Sequence, residues 1–271
     1  MSRRPKVLLV VLASASIALG QDTGKRYPDR YGDPLPPGSY ARFGTLRYRS
    51  TWDVQAASFL PDGASLVTAT MKDVSVWETA TGKRIRTHAI EGGCGLAVAP
   101  DGASIALGLH GGAVGVWRLE SGGRVWQAEA DSLDVRTLVF SPDGSAVAVG
   151  TQTGSLRVFE SVTGREVRSF KDPARAISAI AYSPDGKWLA FAGADRRDDP
   201  GPVPRIHLVE TATWEEAAPF EGDHGWILSL AFSPRGITLA SASRDGTIIL
   251  RDTPGGKELA RLGGEGDPIG G

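Results

Sequence analysis

The chain has 271 residues, 41% of them hydrophobic, with 30 basic and 31 acidic side chains and a formal net charge of -1. That length and balance suit a globular chain with a sizeable core, and basic residues spread without a run exclude the electrostatic footprint of a nucleic-acid binder. The single cysteine, Cys94, excludes an intrachain disulfide and a cysteine-based zinc site, and its apolar setting reads as a small buried hydrophobe.

In chain order, Arg3, Arg4 and Lys6 precede the apolar stretch VLLVVLASASIALG, which ends with the small residues Ala18 and Gly20. Residues 1–20 therefore read as a cleavable secretory signal, since the apolar stretch falls short of the roughly 20 residues that a membrane-spanning helix needs. No cysteine follows it, so a lipid anchor is not expected. The expectation is export to a periplasmic or extracellular space with no integral membrane segment after cleavage; a retained anchor and a misplaced start are the alternatives. Residues 21–44 carry four prolines and four glycines without an apolar period and read as a linker or extended arm.

From residue 45 to 262 one unit recurs. It appears as SFLPDGASLVTA from Ser58, AVAPDGASIALG from Ala97, LVFSPDGSAVAVG from Leu138, AYSPDGKWLAFAG from Ala181 and AFSPRGITLASAS from Ala231. Each places Pro second and Gly fourth in a tight turn between two apolar runs, the order a type I turn favours. The turn prolines Pro61, Pro100, Pro142, Pro184 and Pro234 are 39, 42, 42 and 50 residues apart. A third strand follows a polar corner each time: VSVWE at Val74, VGVWR at Val114, LRVFE at Leu156, IHLVE at Ile206 and IILRD at Ile248. Then come a glycine hairpin, such as TATGK from Thr79, and a more polar fourth strand suited to a solvent-facing edge, such as EVRSF from Glu166. Residues 263–271 form a glycine-rich tail.

These units resemble WD40 repeats, in their period, in the SPDG turn and in Trp77-Glu78 at the place of the Trp-Asp pair. The resemblance implies an all-β fold, a β-propeller of four-stranded antiparallel blades with five repeats visible, either a closed five-blade ring or an incomplete seven-blade array. Six candidate outer strands are present, because GTLRYRS from Gly44 precedes the first unit and GKELARLGG from Gly256 follows the last. An array that does not close leaves unpaired edges and favours self-association. The family's buried tetrad of His, Ser or Thr, Asp and Trp is approached only in the last repeat, by His224, Ser241 and Asp245, with Arg251 in place of the Trp. The other blades are expected to cohere by apolar packing, with Trp77 and Trp117 in the core. The fourth repeat is also similar to the blades of TolB-type periplasmic propellers.

No nucleophile elbow, zinc-protease pair or phosphate-binding loop is present, so no catalytic residue, metal or cofactor is expected. His224, Ser241 and Asp245 read as a structural network, and His88, His110 and His207 as surface or packing residues. Trp126, Trp188, Trp214 and Trp226 fall in outer strands or beside turns, where packing and partner recognition are both open. The candidate contact surface is the insertion GADRRDDPGPVPR, residues 193–205, where Arg196, Arg197, Asp198 and Asp199 are expected near Asp223 and His224 of the next blade. A solvated loop with self-neutralising charges is the competing reading. The sequence as a whole reads as a non-catalytic module or scaffold that binds a protein or peptide. A TolB-like or lactonase-like sensor or enzyme with its ligand at a central channel, and a fragment of a longer array, are the alternatives.

Overall fold

A computed structural model describes residues 50, 52–92, 95–131, 134–171, 175–195, 205–217, 220 and 226–263, all within the compact unit Arg47–Gly271. Five antiparallel sheets succeed one another along the chain. Blade 1 contains β1 (Val54–Phe59), β2 (Ser65–Thr70), β3 (Val74–Glu78) and β4 (Arg84–His88). Blade 2 contains β5 (Gly95–Val98), β6 (Ser104–Gly108), β7 (Ala113–Arg118) and β8 (Arg124–Glu129). Blade 3 contains β9 (Val135–Phe140), β10 (Ala146–Thr151), β11 (Ser155–Glu160) and β12 (Glu166–Lys171). Blade 4 contains β13 (Arg175–Tyr182), β14 (Trp188–Asp195) and β15 (Ile206–Glu210), and blade 5 contains β16 (Ile227–Phe232), β17 (Thr238–Ser243), β18 (Ile248–Asp252) and β19 (Glu258–Leu262). The strands anticipated from the apolar runs are all present, and the expected all-β, propeller-type blades are what the chain forms.

Blade 4 departs from the pattern. Among the described residues its outer position is held by two isolated bridges, Ile206 to Phe220 and Val209 to Glu216, and no fourth strand joins its sheet. The sequence there includes Pro219, which has no N–H to donate to a ladder. The segment GKELARLGG proves to be blade 5's own outer strand, β19, paired with β18. GTLRYRS, the other spare candidate, lies outside the described residues except for Ser50.

Successive blades pack through their first strands, β1 on β5, β5 on β9, β9 on β13 and β13 on β16; among the described residues no packing of that extent joins β16 to β1. Each blade thus has a forward face, turned to the blade that follows, and a receiving face, turned to the one before. The forward faces are built from alanine, valine, isoleucine and leucine on the second and third strands, and the receiving faces of blades 2 to 4 add an aromatic ring. Val67, Ala69, Val74 and Val76 of blade 1 meet Ile105, Leu107 and Trp117 of blade 2. Ala106, Val114 and Val116 meet Val147, Val149 and Phe159 of blade 3. Ala148, Leu156 and Val158 meet Leu189, Phe191 and Val209 of blade 4, and Ala190, Ala192, Ile206 and Leu208 meet Leu239 of blade 5. Because both faces of the inner strands are covered, these strands read as nearly continuous apolar runs.

Two further devices tie one blade to the next. At the turns, the glycine amide bonds to the carbonyl three residues back, as in Gly144 to Ser141 at 2.9 Å, and the glycine takes a positive φ of 73° there. The same glycine packs beside the preceding blade's turn proline: a Cβ added at Gly102, Gly144, Gly186 or Gly236 would lie within 4 Å of Pro61, Pro100, Pro142 or Pro184 respectively. At the outer edge, a ring from the outer position of blades 1 to 4 lies over the hairpin of the following blade. Trp126 of β8 lies over Gly164 and donates its indole N–H to the Ser161 carbonyl at 2.6 Å. His88 of β4 does the same over Gly122, with its Nε2 2.8 Å from the Leu119 carbonyl. Phe220 lies over Gly256, while in blade 4 the glycine is replaced by Trp214, held at φ 61° and packed on Phe170 with ring centroids 6.3 Å apart.

Trp77 and Trp117 are buried as expected, at 2% and 6% exposure. The first blade is not held by apolar packing alone, however. The Trp77 indole N–H donates to Thr68 Oγ1 at 2.8 Å inside the sheet, a polar cross-strand tie that the sequence reading assigned only to the last repeat.

Trp126→Ala is expected to lower the unfolding free energy by about 3–5 kcal/mol, and Trp126→Phe, which keeps most of the ring, by about 1 kcal/mol, measured by urea denaturation. Gly164→Ala should destabilise by more than about 1 kcal/mol in the same experiment, because it meets both the indole and a left-handed backbone.

Candidate functional site

Arg196, Arg197, Asp198, Asp199, Asp223 and His224 all lie outside the described residues, as does Cys94. Of the suspected His224 network, the described part is Ser241, Asp245 and Arg251. Arg251, 1% exposed, donates from Nη1 to Ser241 Oγ at 3.1 Å, so the guanidinium occupies the place of the missing tryptophan and reaches the same hydroxyl. Asp245 Oδ1 accepts from the Thr247 amide at 2.9 Å and hydroxyl at 2.6 Å, closing its own corner. The histidines behave as packing residues where their contacts are seen: besides the His88 clamp, His207 stacks on Phe191 with centroids 4.6 Å apart and pairs with Glu216. Trp226 lies beneath the Arg244 guanidinium at 4.4 Å, and Trp188 packs part-buried against the core between blades 4 and 5.

One recess lies among the turns, between blades 3 and 4. It encloses about 490 Å3 and is lined by Asp143, Tyr182, Asp185, Thr211 and Trp214, with Ser141 and Pro184 at its margin. The turn sequence itself builds it. Ser141 donates its hydroxyl to Asp143 Oδ1 at 2.5 Å while accepting the Ala146 amide at 3.0 Å, and the Ser145 amide reaches Asp143 Oδ1 at 3.0 Å. Ser183, Asp185, Lys187 and Trp188 repeat this arrangement one blade on, with the Ser183 hydroxyl 2.6 Å from Asp185 Oδ1. These hydrogen bonds, the serine hydroxyls foremost, hold both carboxyl groups below their ordinary range. Burial, helped by the negative charge of Asp143, pushes the Tyr182 phenol well above its ordinary range, so it stays protonated. Its buried oxygen has no hydrogen-bond partner among the described residues.

The recess therefore presents two ionised carboxylates, a neutral phenol and an indole. Its lining contains no histidine, lysine or cysteine, and among the described residues no group of three or more His, Cys, Asp or Glu side chains could hold a metal ion. What such a set accepts is a cationic side chain, with carboxylate beside the charge and Trp214 offering a π face. The turn row extends this character, since Asp62 and Asp101 stand at the same turn position in blades 1 and 2 and Arg235 ends the series in blade 5.

Residues 164–197 and 214–252 match the family model of the WD domain, G-beta repeat, and residues 99–176 match that of the anaphase-promoting complex subunit 4 WD40 domain. The chain carries WD40 repeats. The matched WD40 segments span blades 2 to 5, and the two G-beta repeat matches begin at the hairpins Gly164 and Trp214 that the outer-strand rings cover. No curated protein matches the chain. No helix among the described residues is long and apolar enough to cross a membrane.

The sequence reading missed this recess because it treated Ser-Pro-Asp-Gly only as a turn former. The available signal was the recurrence of aspartate at one turn position beside a tryptophan where other hairpins have glycine.

Because both carboxyl pKa values are depressed on folding, their stabilising contribution is complete above the ordinary carboxylate value and is lost as pH falls through the lower folded values. The melting temperature is expected to be flat down to about pH 4 and to drop below it. Asp143→Asn with Asp185→Asn should flatten part of that drop in a pH series of thermal melts.

Proposed function

We propose that this WD40-repeat chain is an exported protein-interaction module without catalysis of its own, and that its turn row binds a basic segment of a protein partner. The observation that carries the reading is the recess between blades 3 and 4, where Asp143 and Asp185 flank Trp214 on a scaffold whose turns are locked by the serine and glycine contacts. Such recesses on rigid frames recognise side chains without having to pay much ordering entropy. WD40 repeats suit this role because each blade presents its turns in a fixed register. The absence of an expected cofactor and the choice of a non-catalytic role rest on the sequence, in which no catalytic constellation occurs. Export rests on the pattern of residues 1–20. The loop 193–205 is a second proposed contact, through Arg196, Arg197, Asp198 and Asp199 together with Asp223 and His224.

Titrating the protein with a short arginine-rich peptide should change Trp214 emission and saturate; Asp143→Asn with Asp185→Asn should weaken binding at least about tenfold, equivalent to about 1.4 kcal/mol. An unchanged affinity in that double variant, or no binding at millimolar peptide, removes the recess from consideration. Export is checked separately by sequencing the N-terminus of protein from cells, which should begin near Gln21; a start at Met1 in the intact protein refutes it.

A further inference from the structure

We propose that the turn of blade 1 is a site of spontaneous covalent modification, the isomerisation of Asp62 to isoaspartate through a succinimide with Gly63, and that serine hydroxyls shield the corresponding aspartates of blades 3 and 4 from it. This goes beyond partner binding and stands whether or not the turn recess holds a ligand. The chain has no asparagine, so such an isomer forms only from aspartate, and five Asp-Gly pairs are present, at Asp62, Asp101, Asp143, Asp185 and Asp245. Glycine, without a Cβ, offers the least hindered amide for the reaction. With the carboxyl protonated, the Gly63 nitrogen attacks Asp62 Cγ; a C–N bond forms, and the amide hydrogen and the acid's hydroxyl leave as one water. Water then opens the ring. Attack at Cγ restores aspartate, whereas attack at the main-chain carbonyl breaks the original peptide bond and leaves the chain running through Cγ. One water leaves and one returns, and nothing is oxidised or reduced.

What separates the five pairs is the hold on each carboxylate. The glycine amide is tied alike in the first four turns, to the carbonyl three residues back at 2.8 or 2.9 Å. Asp143 Oδ1 accepts from the Ser141 hydroxyl at 2.5 Å, the Ser145 amide at 3.0 Å and the Ser145 hydroxyl at 2.8 Å. Asp185 Oδ1 accepts from the Ser183 hydroxyl at 2.6 Å and the Lys187 amide at 3.1 Å, and Asp245 Oδ1 from the amide and hydroxyl of Thr247. These bonds must break before the carboxyl can swing to the glycine amide, and in blades 3 and 4 they also keep the acid in its ionised, unreactive form. In blades 1 and 2 the residue two before the aspartate is Leu60 or Ala99, with no hydroxyl to give. Among the described residues each exposed carboxylate there keeps one bond, from the Ala64 or Ala103 amide at 2.8 Å. Blade 1 lacks a second restraint too: a Cβ added at Gly102 would meet Pro61 at 3.3 Å, whereas one at Gly63 meets nothing within 4 Å. The expected order of reaction is therefore Asp62, then Asp101, then the other three. The Gly63 carbonyl accepts the Thr79 hydroxyl at 3.1 Å, and Pro61 abuts Gly102, so a main chain one methylene longer loosens both the blade 1 hairpin and its tie to blade 2.

The test ages the full chain in heavy-oxygen water at neutral pH and maps its peptides, since each ring opening adds one heavy oxygen at the residue concerned and chromatography resolves isoaspartyl from aspartyl peptides. The expected result is labelled isoaspartate at Asp62 at least about tenfold above Asp143 and Asp185, the step that one further hydrogen bond to a charged group supplies. Ala99→Ser, which installs a hydroxyl at the place Ser141 holds one blade on, should lower the label at Asp101 about tenfold and leave Asp62 unchanged. Ser183→Ala should raise the label at Asp185 alone; a variant that merely unfolded more often would raise all five sites together. In urea the five sites should become alike, because the bonds that distinguish them are gone. Equal labelling of Asp62, Asp143 and Asp185 in the folded chain overturns the proposal. So does an order that survives in urea, which would assign it to flanking sequence, or an Ala99→Ser variant that labels Asp101 as before.

Discussion

The contact on which everything else depends is the seating of bulky residues of one blade on the small residues of the blade before it. Ala106 under Val147, or Ala190 under Leu239, lets two sheets approach closely enough to exclude water from both, and the same geometry recurs down the chain. A single blade has two apolar faces and could bury neither alone. The sheets are therefore stable as a series, with contributions that come mainly from each neighbouring pair. The turn prolines and the outer-strand rings then fix the sliding and rotational freedom that flat apolar faces leave. The indole of Trp126 contributes direction as well as area, because its N–H has one carbonyl to reach.

The proposed binding position lies where the repetition is broken. The hairpin glycine of blades 2, 3 and 5 becomes Trp214 in blade 4, and the left-handed backbone that glycine would adopt freely is imposed on an aromatic residue. Such a conformation costs about 1–3 kcal/mol and persists only where the surroundings over-determine it. Here the ring is held by Phe170 and opens onto the two aspartates. The left-handed residue thus stands in the lining of the recess.

Much of the fold was legible because its signals are local. Ser-Pro-Asp-Gly specifies its own turn through bonds within five residues, and the third strands announce themselves as apolar runs ended by a charge. The interblade ties were not legible, for two physical reasons. The four rings that clamp the hairpins are of three kinds, His88, Trp126, and Phe170 with Phe220, and act on residues one blade further along the chain, so no single motif marks them. The polar tie between Trp77 and Thr68 was overlooked because a complete tetrad was sought, while in this blade two of its members suffice. The half-buried state of Ala240, Ala242, Ile248 and Leu250 is equally invisible in sequence, since the same residue types are buried in blade 4. Their environment is decided by what stands next to them.

The polar pair at the fifth blade's receiving face has one more consequence. Arg251 and Ser241 occupy positions that Phe159 and Val149 fill in blade 3, so the last interface exchanges apolar area for a charge-assisted hydrogen bond. A neighbour-dependent series with its least apolar junction at blade 5 should open there first. In hydrogen-exchange terms, blade 5 would be the earliest foldon to lose protection.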